Sequence, residues 1–249
     1  LDLATAMDVS SRHLSFLETG RAQPSKEMVL LLAATLDIPL RNQNEMLRAA
    51  GFIERFAEPS IEHELAPEIT FALDRMLSQH DPFPIVVMNR CFDVVKMNPA
   101  MARLIPLLIK DPAALGTSLN GYRLLFDPRL IRDSIVNWEQ TGRQLLSHLH
   151  REALHHPEDS ALRSLVEDLL GYPDIPQDWR QPDFSSPTPP AYTLEFRNEQ
   201  FELAFLTTIT TFNAPNNVTL EELRIESYFP LDRATEETCR RLAEATEQT

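Results

Sequence analysis

Val9 to Ser25, VSSRHLSFLETGRAQPS, packs a helix cap, a helix, a stop and a restart into one short run. Ser10 is a good N-cap, because its hydroxyl can accept an orphan N–H of the first helical turn. Leu14 and Leu17 fall three apart and are expected to face inward, which leaves Arg12, His13, Ser15, Phe16 and Thr19 outward. Gly20 is expected to stop the helix in the left-handed conformation. Arg21 to Pro24 then turns the chain into another helix, with Ser25 at its cap.

Working outward, Leu1 to Met7 reads as a helix with Leu3, Ala4 and Met7 inward, and Asp8-Val9 as a turn. Helix, short turn and helix make a helix-turn-helix, whose second helix enters the major groove of DNA. The base-facing positions are Ser11, Arg12, Ser15 and Phe16, and Thr19, Arg21 and Gln23 are placed for phosphates. Arg12 is the best base reader, since a guanidinium bonds guanine bidentately; Phe16 either touches a thymine methyl or packs within the domain. A further helix is expected over Leu30 to Leu36, with Met28, Leu31, Leu32 and Leu36 at core spacing and Pro39 closing it. Another runs from Asn42 to Ala50 and ends at Gly51. Residues 1–56 are therefore expected to form an all-helical DNA-binding domain.

Charge supports this division. The chain carries a net −14, yet residues 1–56 account for only −1 of it, leaving −13 on the remainder. A nearly neutral reader tied to an acidic body fits specific contacts at one end and repulsion from polyanions at the other. No apolar run of membrane-spanning length and no secretory leader is legible, and Cys91 and Cys239 are too few for a disulfide scaffold or a zinc cage. The expectation is a cytoplasmic protein with reduced thiols and no membrane partner.

Glu58-Pro59-Ser60 breaks the helical run, so 57–66 is expected to be a linker and 67–249 a second domain. Pro67 to Gln79 resumes the helical period, with Ile69, Leu73, Met76 and Leu77 on one face. Phe83 to Met88 and Phe92 to Met97 read as a strand hairpin, and Asn98-Pro99 opens a helix through Ile109. Asp127-Pro128 is expected to open a long helix to His155, with Ile131, Ile135, Trp138, Gly142, Leu145 and Leu149 as its inner stripe. Ser160 to Leu170 is a shorter helix, and Gln181 to Pro190 a Pro/Ser-rich connection. The period then alternates: Tyr192, Leu194 and Phe196, then Phe201, Leu203, Phe205 and Ile209, then Leu223, Ile225, Ser227 and Phe229. Asn213 to Asn217 is a turn between the last two strands, and Asp232 caps a final helix. The fold class is α+β, with one five-stranded antiparallel sheet carrying its helices on one side.

Through Leu3-Ala4, Val9-Ser10, Leu14-Ser15, Leu17-Glu18-x-Gly20 and Pro24-Ser25, the first segment resembles the Xre or phage-repressor-like helix-turn-helix family. The resemblance implies a further helix before Leu1, with an arginine able to pair Glu18. The second segment resembles the ligand-binding domain of MmyB-like transcription regulators, a PAS-like fold. The residues that carry this are Phe83-Pro84, Asp93-Val94-Val95-x-x-Asn98, Arg123-x-x-Phe126-x-Pro128, Ile135-Val136-Asn137-Trp138, Tyr172-Pro173 and Leu223-Arg224-Ile225-Glu226-Ser227. It implies inserted helices and a pocket for a fatty-acid-like or other apolar small molecule.

The apolar positions expected between sheet and helices are Phe83, Val87, Met97, Leu104, Leu108, Phe126, Ile135, Trp138, Phe205 and Ile209, which suit a pocket or plain core. Arg123 and Arg132 are the candidates for meeting a carboxylate head group, with Asn137 to orient it. His148, His150, His155 and His156 cluster near a helix end, where the dipole alone favours them, so no metal site is assigned. There is no G-x-S-x-G, H-E-x-x-H or G-x-G-x-x-G, and Gly116 to Gly121 is followed by Tyr122 rather than Lys, so neither catalytic residues nor a cofactor site are assigned. The expected function is a homodimeric regulator that reads an operator in double-stranded DNA and senses an apolar effector. The alternative is a regulator whose PAS-like domain is a ligand-free dimerisation or protein-interaction module.

Overall fold

The computed structural model describes residues 2–59, 65–157, 159–181, 191–214 and 216–247, so the stretch 182–190 of the Pro/Ser-rich connection lies outside the described residues. Two units result: Leu1–Glu64 with Asn213–Glu221, and Leu65–Phe212 with Glu222–Thr249.

The first unit holds α1 (Asp2–Ala6), α2 (Ser11–Glu18), α3 (Lys26–Thr35) and α4 (Leu40–Ala49). Both expected caps form: the Ser10 hydroxyl accepts from the His13 N–H, and the Ser25 hydroxyl from the Met28 N–H. Gly20 sits at φ +68°, and its N–H donates to the Leu17 carbonyl while that of Arg21 reaches the Phe16 carbonyl, 2.8 Å away. This pair of backward bonds satisfies the last carbonyls of α2 and requires the left-handed residue between them. The spacing chosen for α3 is corrected. The helix starts at Lys26 and buries Val29 and Ala33, whereas Leu31 and Leu36 are 39% and 51% exposed. Its apolar residues run almost all round, so spacing alone does not fix the buried face, and the Ser25 cap sets where the helix begins. Buried Asn44 of α4 closes the unit's far end, donating to the Phe56 carbonyl and accepting the N–H groups of Arg55 and Phe56.

The connection at 213–221 is more than the turn its sequence suggests. It belongs to the first unit and carries α10 (Val218–Glu221). Val218, fully buried, packs with Leu40 and Phe56, and Leu30 lies against them. Its N–H donates to the Ala57 carbonyl at 2.9 Å, the Thr219 hydroxyl to the Pro59 carbonyl at 2.7 Å, and the Leu40 N–H to Glu221 Oε2 at 2.9 Å. Residues 213–221 thus group with the first unit, inside a segment expected to run continuously from 67 to 249. Val218 and Leu220 are apolar, and α4 with the strand-like stretch at Phe56-Ala57 gives them a core.

The second unit contains α5 (Pro67–His80), β1 (Ile85–Met88), β2 (Val94–Met97), α6 (Pro99–Leu108), α7 (Gly121–Phe126), α8 (Trp138–His155), α9 (Ser160–Gly171), β3 (Ala191–Arg197), β4 (Glu202–Thr211), β5 (Arg224–Pro230) and α11 (Arg233–Glu247). The five strands form one antiparallel sheet in the order β2-β1-β5-β4-β3, so the α+β class holds and β5 lies at the centre. Helices α6 to α9 sit between β2 and β3 in sequence and pack on the sheet face bearing Val86, Met88, Leu194, Phe205 and Tyr228. Helix α5 lies on the opposite face: Asp74 Oδ1 is 2.8 Å from Nζ of Lys96, which pairs with Val87, and the His80 ring stands edge-on to Phe229. Helices on one side only is therefore corrected.

Asp127 does not open the long helix. Its carboxylate is held by the backbone and guanidinium of Arg129, a 3₁₀ turn follows at Arg132–Ser134, and α8 starts at Trp138. Ile131 and Ile135 are buried as expected, but from loop positions. Gly142 does leave room for a close approach. Trp179 occupies it, its ring carbons lying 2.7 Å from where a Cβ would stand.

Candidate functional site

On the DNA side, the geometry of α2 follows from its ends. Ser10 and Gly20 fix which residues are helical, and Leu14, buried, fixes which face turns inward. Ser11, Arg12, Ser15, Thr19, Arg21 and Gln23 are then exposed, and Phe16 is half-buried. The Arg12 guanidinium lies 5.3 Å from the centre of the Phe16 ring, one turn along the helix. This stacking holds the cation on the outer face of α2 and gives Phe16 a role within the unit. Leu17, expected inward, is half-buried.

In the second unit, a cavity of about 50 Å³ lies between the sheet and α6, α7 and α8. Its walls are mostly apolar: Val86 and Met88 from β1, Met101, Leu104, Ile105 and Leu108 from α6, Leu124 and Leu125 from α7, and Leu145 from α8. Its polar groups come from the sheet. Glu226, 6% exposed, stands on the central strand opposite Val86 on one side and Ile209 on the other. The Tyr192 hydroxyl donates to Glu226 Oε1, and the Tyr228 hydroxyl is a second hydrogen-bonding partner of the same carboxyl. Tyr192 and Tyr228 flank Thr207 in register across β3, β4 and β5, and the buried Thr207 Oγ1 lacks a partner among the described residues.

A second polar chain runs alongside. The Tyr122 hydroxyl, also at the cavity, meets His148 Nδ1 at 3.0 Å, and His148 Nε2 is 3.8 Å from Glu152. Glu152 in turn pairs with Arg224, whose guanidinium lies over the Phe92 ring. Burial lowers the pKa of His148, and that of His150, whose Nε2 is 3.2 Å from the Trp179 carbonyl oxygen. His148 and His150 of the histidine cluster are thus occupied with hydrogen bonding inside the fold.

Burial raises the pKa of Glu226, against the lowering effect of its two tyrosine partners. A carboxyl raised on folding binds more protons folded than unfolded, so its contribution to stability is present at low pH and lost as pH rises through the raised value. Glu226→Gln, which does not titrate, is expected to gain stability relative to wild type as pH rises above the ordinary carboxylate range, about 4.5. Thermal unfolding of both proteins across that rise checks this; a difference independent of pH would contradict it.

Of the ligand-binding positions expected from sequence, the structure brings Leu104 and Leu108 to the cavity. Phe126, Ile135 and Phe205 are buried in the core around it, and Phe83, Met97 and Trp138 pack on its edge. Val87 is corrected: it lies on the other sheet face, because all four residues of β1 are buried and their pattern carries no parity. Ile209 is half-buried beside Glu226. The three head-group candidates are placed elsewhere. Arg123 pairs with Asp168 at 2.6 Å, Arg132 donates to the Pro173 carbonyl, and Asn137 joins the Thr193 carbonyl and the Glu195 N–H. Each is spent on holding helices and loops together. Glu226, Tyr192, Tyr228 and Tyr122 were missed as site residues. The signal for Glu226 was an acid set between Ile225 and Ser227-Tyr228-Phe229 in one strand, inside a stretch already quoted for the family resemblance.

Residues 69–242 match the family described as the MmyB-like transcription regulator ligand binding domain, and residues 1–42 match a helix-turn-helix family. Both are regulator families rather than enzyme families. No curated protein shows significant similarity to the chain. Among solved structures, one described as "Structure of an RNA-binding Light-Oxygen-Voltage Receptor" is 14% identical, with a TM-score of 0.29, covering 99% of this chain and 61% of that one. The chain thus spans less than two thirds of that protein's length. Among the described residues no helix is long and apolar enough to cross a membrane.

Proposed function

The chain belongs to the MmyB-like transcription regulators, with a DNA-binding helix-turn-helix ahead of the ligand-binding domain, and from this we propose that it is a cytoplasmic, effector-controlled operator reader. Arg12 and its neighbours on α2 contact base edges, while Thr19, Arg21 and Gln23 contact phosphates. The effector is an apolar molecule with an aliphatic, fatty-acyl type of body, seated among Met88, Leu104, Leu108 and Leu145. Two copies of the chain bind as a homodimer, so that two recognition helices meet successive turns of the duplex, about 34–36 Å apart.

The observation that carries this reading is the continuity of strand β5 with the connection at 213–221. Glu226 and Tyr228 line the cavity, and the residues just before this strand, Val218 to Glu221, are packed and hydrogen-bonded within the DNA-reading unit. A cavity of about 50 Å³ holds only a few heavy atoms, so an aliphatic chain must spread α6 and α7 from the sheet to enter. An effector therefore binds one arrangement of this strand better than another and shifts the population accordingly.

Native mass spectrometry of the full chain tests the proposal. Purified protein is expected to carry a small apolar adduct that Leu104→Phe, which fills the cavity, does not retain. Wild type and Leu104→Phe both flying at the bare sequence mass would favour a ligand-free interaction module instead.

A further inference from the structure

The polar end of the cavity has a definite hydrogen-bonding sense. Among the described residues the lining holds no Lys, Arg or His. The nearest cation along β5, Arg224, is committed to Glu152, to the Glu222 carbonyl and to the Phe92 ring. Each lining tyrosine already has a partner for its hydroxyl: Tyr192 and Tyr228 at Glu226, and Tyr122 at His148. Thr207, whose hydroxyl has no partner among the described residues, does not line the cavity. What is left facing the cavity is acceptor capacity: an ionised carboxyl has roughly four lone-pair directions, of which two tyrosines occupy two, and a protonated one keeps unused lone pairs beside its own O–H.

From this we infer that the effector carries a hydrogen-bond donor, a hydroxyl or an amine, at the end of its apolar body, and that Glu226 is the residue that receives it. A free carboxylate is rejected. In the cavity it would set acceptor against acceptor, with no cation to offset the loss of its hydration, and burying an unpaired charge is costly. A hydroxyl or ammonium group donates to a remaining oxygen of Glu226 while the rest of the molecule displaces nothing polar. A raised carboxyl pKa fits the same picture, because an enclosed acid lacking a cationic partner is what a donor-bearing ligand relieves. The inference rests on the cavity being the effector site, and it changes the head group that a fatty-acid-like ligand would bring.

The test uses three probes of equal chain length, 1-octanol, octylamine and octanoate, with the full chain at neutral pH and the thermal unfolding midpoint as readout. Octanol or octylamine is expected to raise the midpoint of wild type in a saturable way, the two arms separating the alcohol from the amine, while octanoate leaves it unchanged. Glu226→Gln keeps an acceptor for the tyrosines but adds an amide donor; it is expected to weaken the favoured probe by about fivefold or more, the value of one hydrogen bond. Leu104→Phe, as a control for adsorption to the surface, abolishes the shift. Octanoate alone stabilising wild type, with the shift lost in Leu104→Phe, would overturn the head-group assignment and keep the cavity. No shift from any probe, or shifts that Leu104→Phe retains, would overturn the cavity reading itself. A Glu226→Gln variant that binds the favoured probe as wild type does would remove Glu226 from recognition.

Discussion

Val218→Asp is expected to destabilise the DNA-reading unit by more than about 3 kcal/mol, although residue 218 lies far along the chain between two strands of the sensor sheet. Val218 is fully buried against Leu40 and Phe56, and a carboxylate there would have neither solvent nor a cation. The milder Val218→Ala removes two methyl groups and is expected to cost about 2 kcal/mol. Hydrogen exchange of the full-length protein gives the readout. Amides of α3 and α4 lose protection in Val218→Asp, and those of β3 and β4 keep theirs. Loss confined to the sheet, with α4 unchanged, would show that this connection is not part of the reader. The effect is informative because such a position can pass a change in β5 to the helices that bind DNA.

Arg12→Ala is expected to cost about 1–3 kcal/mol at one operator base pair, and little at the others. Arg12 is exposed on α2, stacked over Phe16, and its cap and buried Leu14 fix the face it presents. The truncation therefore removes an ordered guanidinium rather than a mobile one. Arg21→Ala, beyond the Gly20 stop, is expected to weaken binding evenly across sequences and to reduce the salt dependence by about one counterion. Binding of each variant to a selected operator and its single-base changes at two salt concentrations separates the two. Equal losses on every sequence for both would take base reading away from Arg12.

Much of this was legible because local rules and global packing agree. Ser10, Gly20 and Ser25 each act within a few residues, and the structure uses all three as their chemistry dictates. The strands of the last third were legible from their alternation, and the sheet forms where that alternation lies. The site was much less so. In β1 both faces are buried, so nothing in Ile85-Val86-Val87-Met88 tells which side faces the cavity. In β5 the alternation of Ile225 and Phe229 gave no hint of the cavity face: Ile225 is buried on the other side of the sheet, and Glu226 and Tyr228 face the cavity. The ordinary rule that acids face water gives way here because two tyrosines hydrogen-bond the carboxyl: Tyr228, two residues on in the same strand, and Tyr192, on β3 beyond β4, whose approach depends on a register no single strand reveals. Arg123 and Arg132 were plausible anchors by charge alone, yet Asp168, the Pro173 carbonyl and Asp174 take them up from elements 40 or more residues away. The role of 213–221 was hidden for the same reason: its partners at Leu40 and Phe56 are remote in sequence.

On the proposed function, the cavity and the recognition helix share one equilibrium. The most direct measurement is the affinity of the full chain for an operator selected from random duplexes, with and without a saturating cavity ligand, in wild type and in Leu104→Phe. A change of at least about fivefold is expected in wild type, in the range usual for coupled sites, and none in Leu104→Phe. A ligand that fills the wild-type cavity and leaves operator affinity unchanged would contradict it.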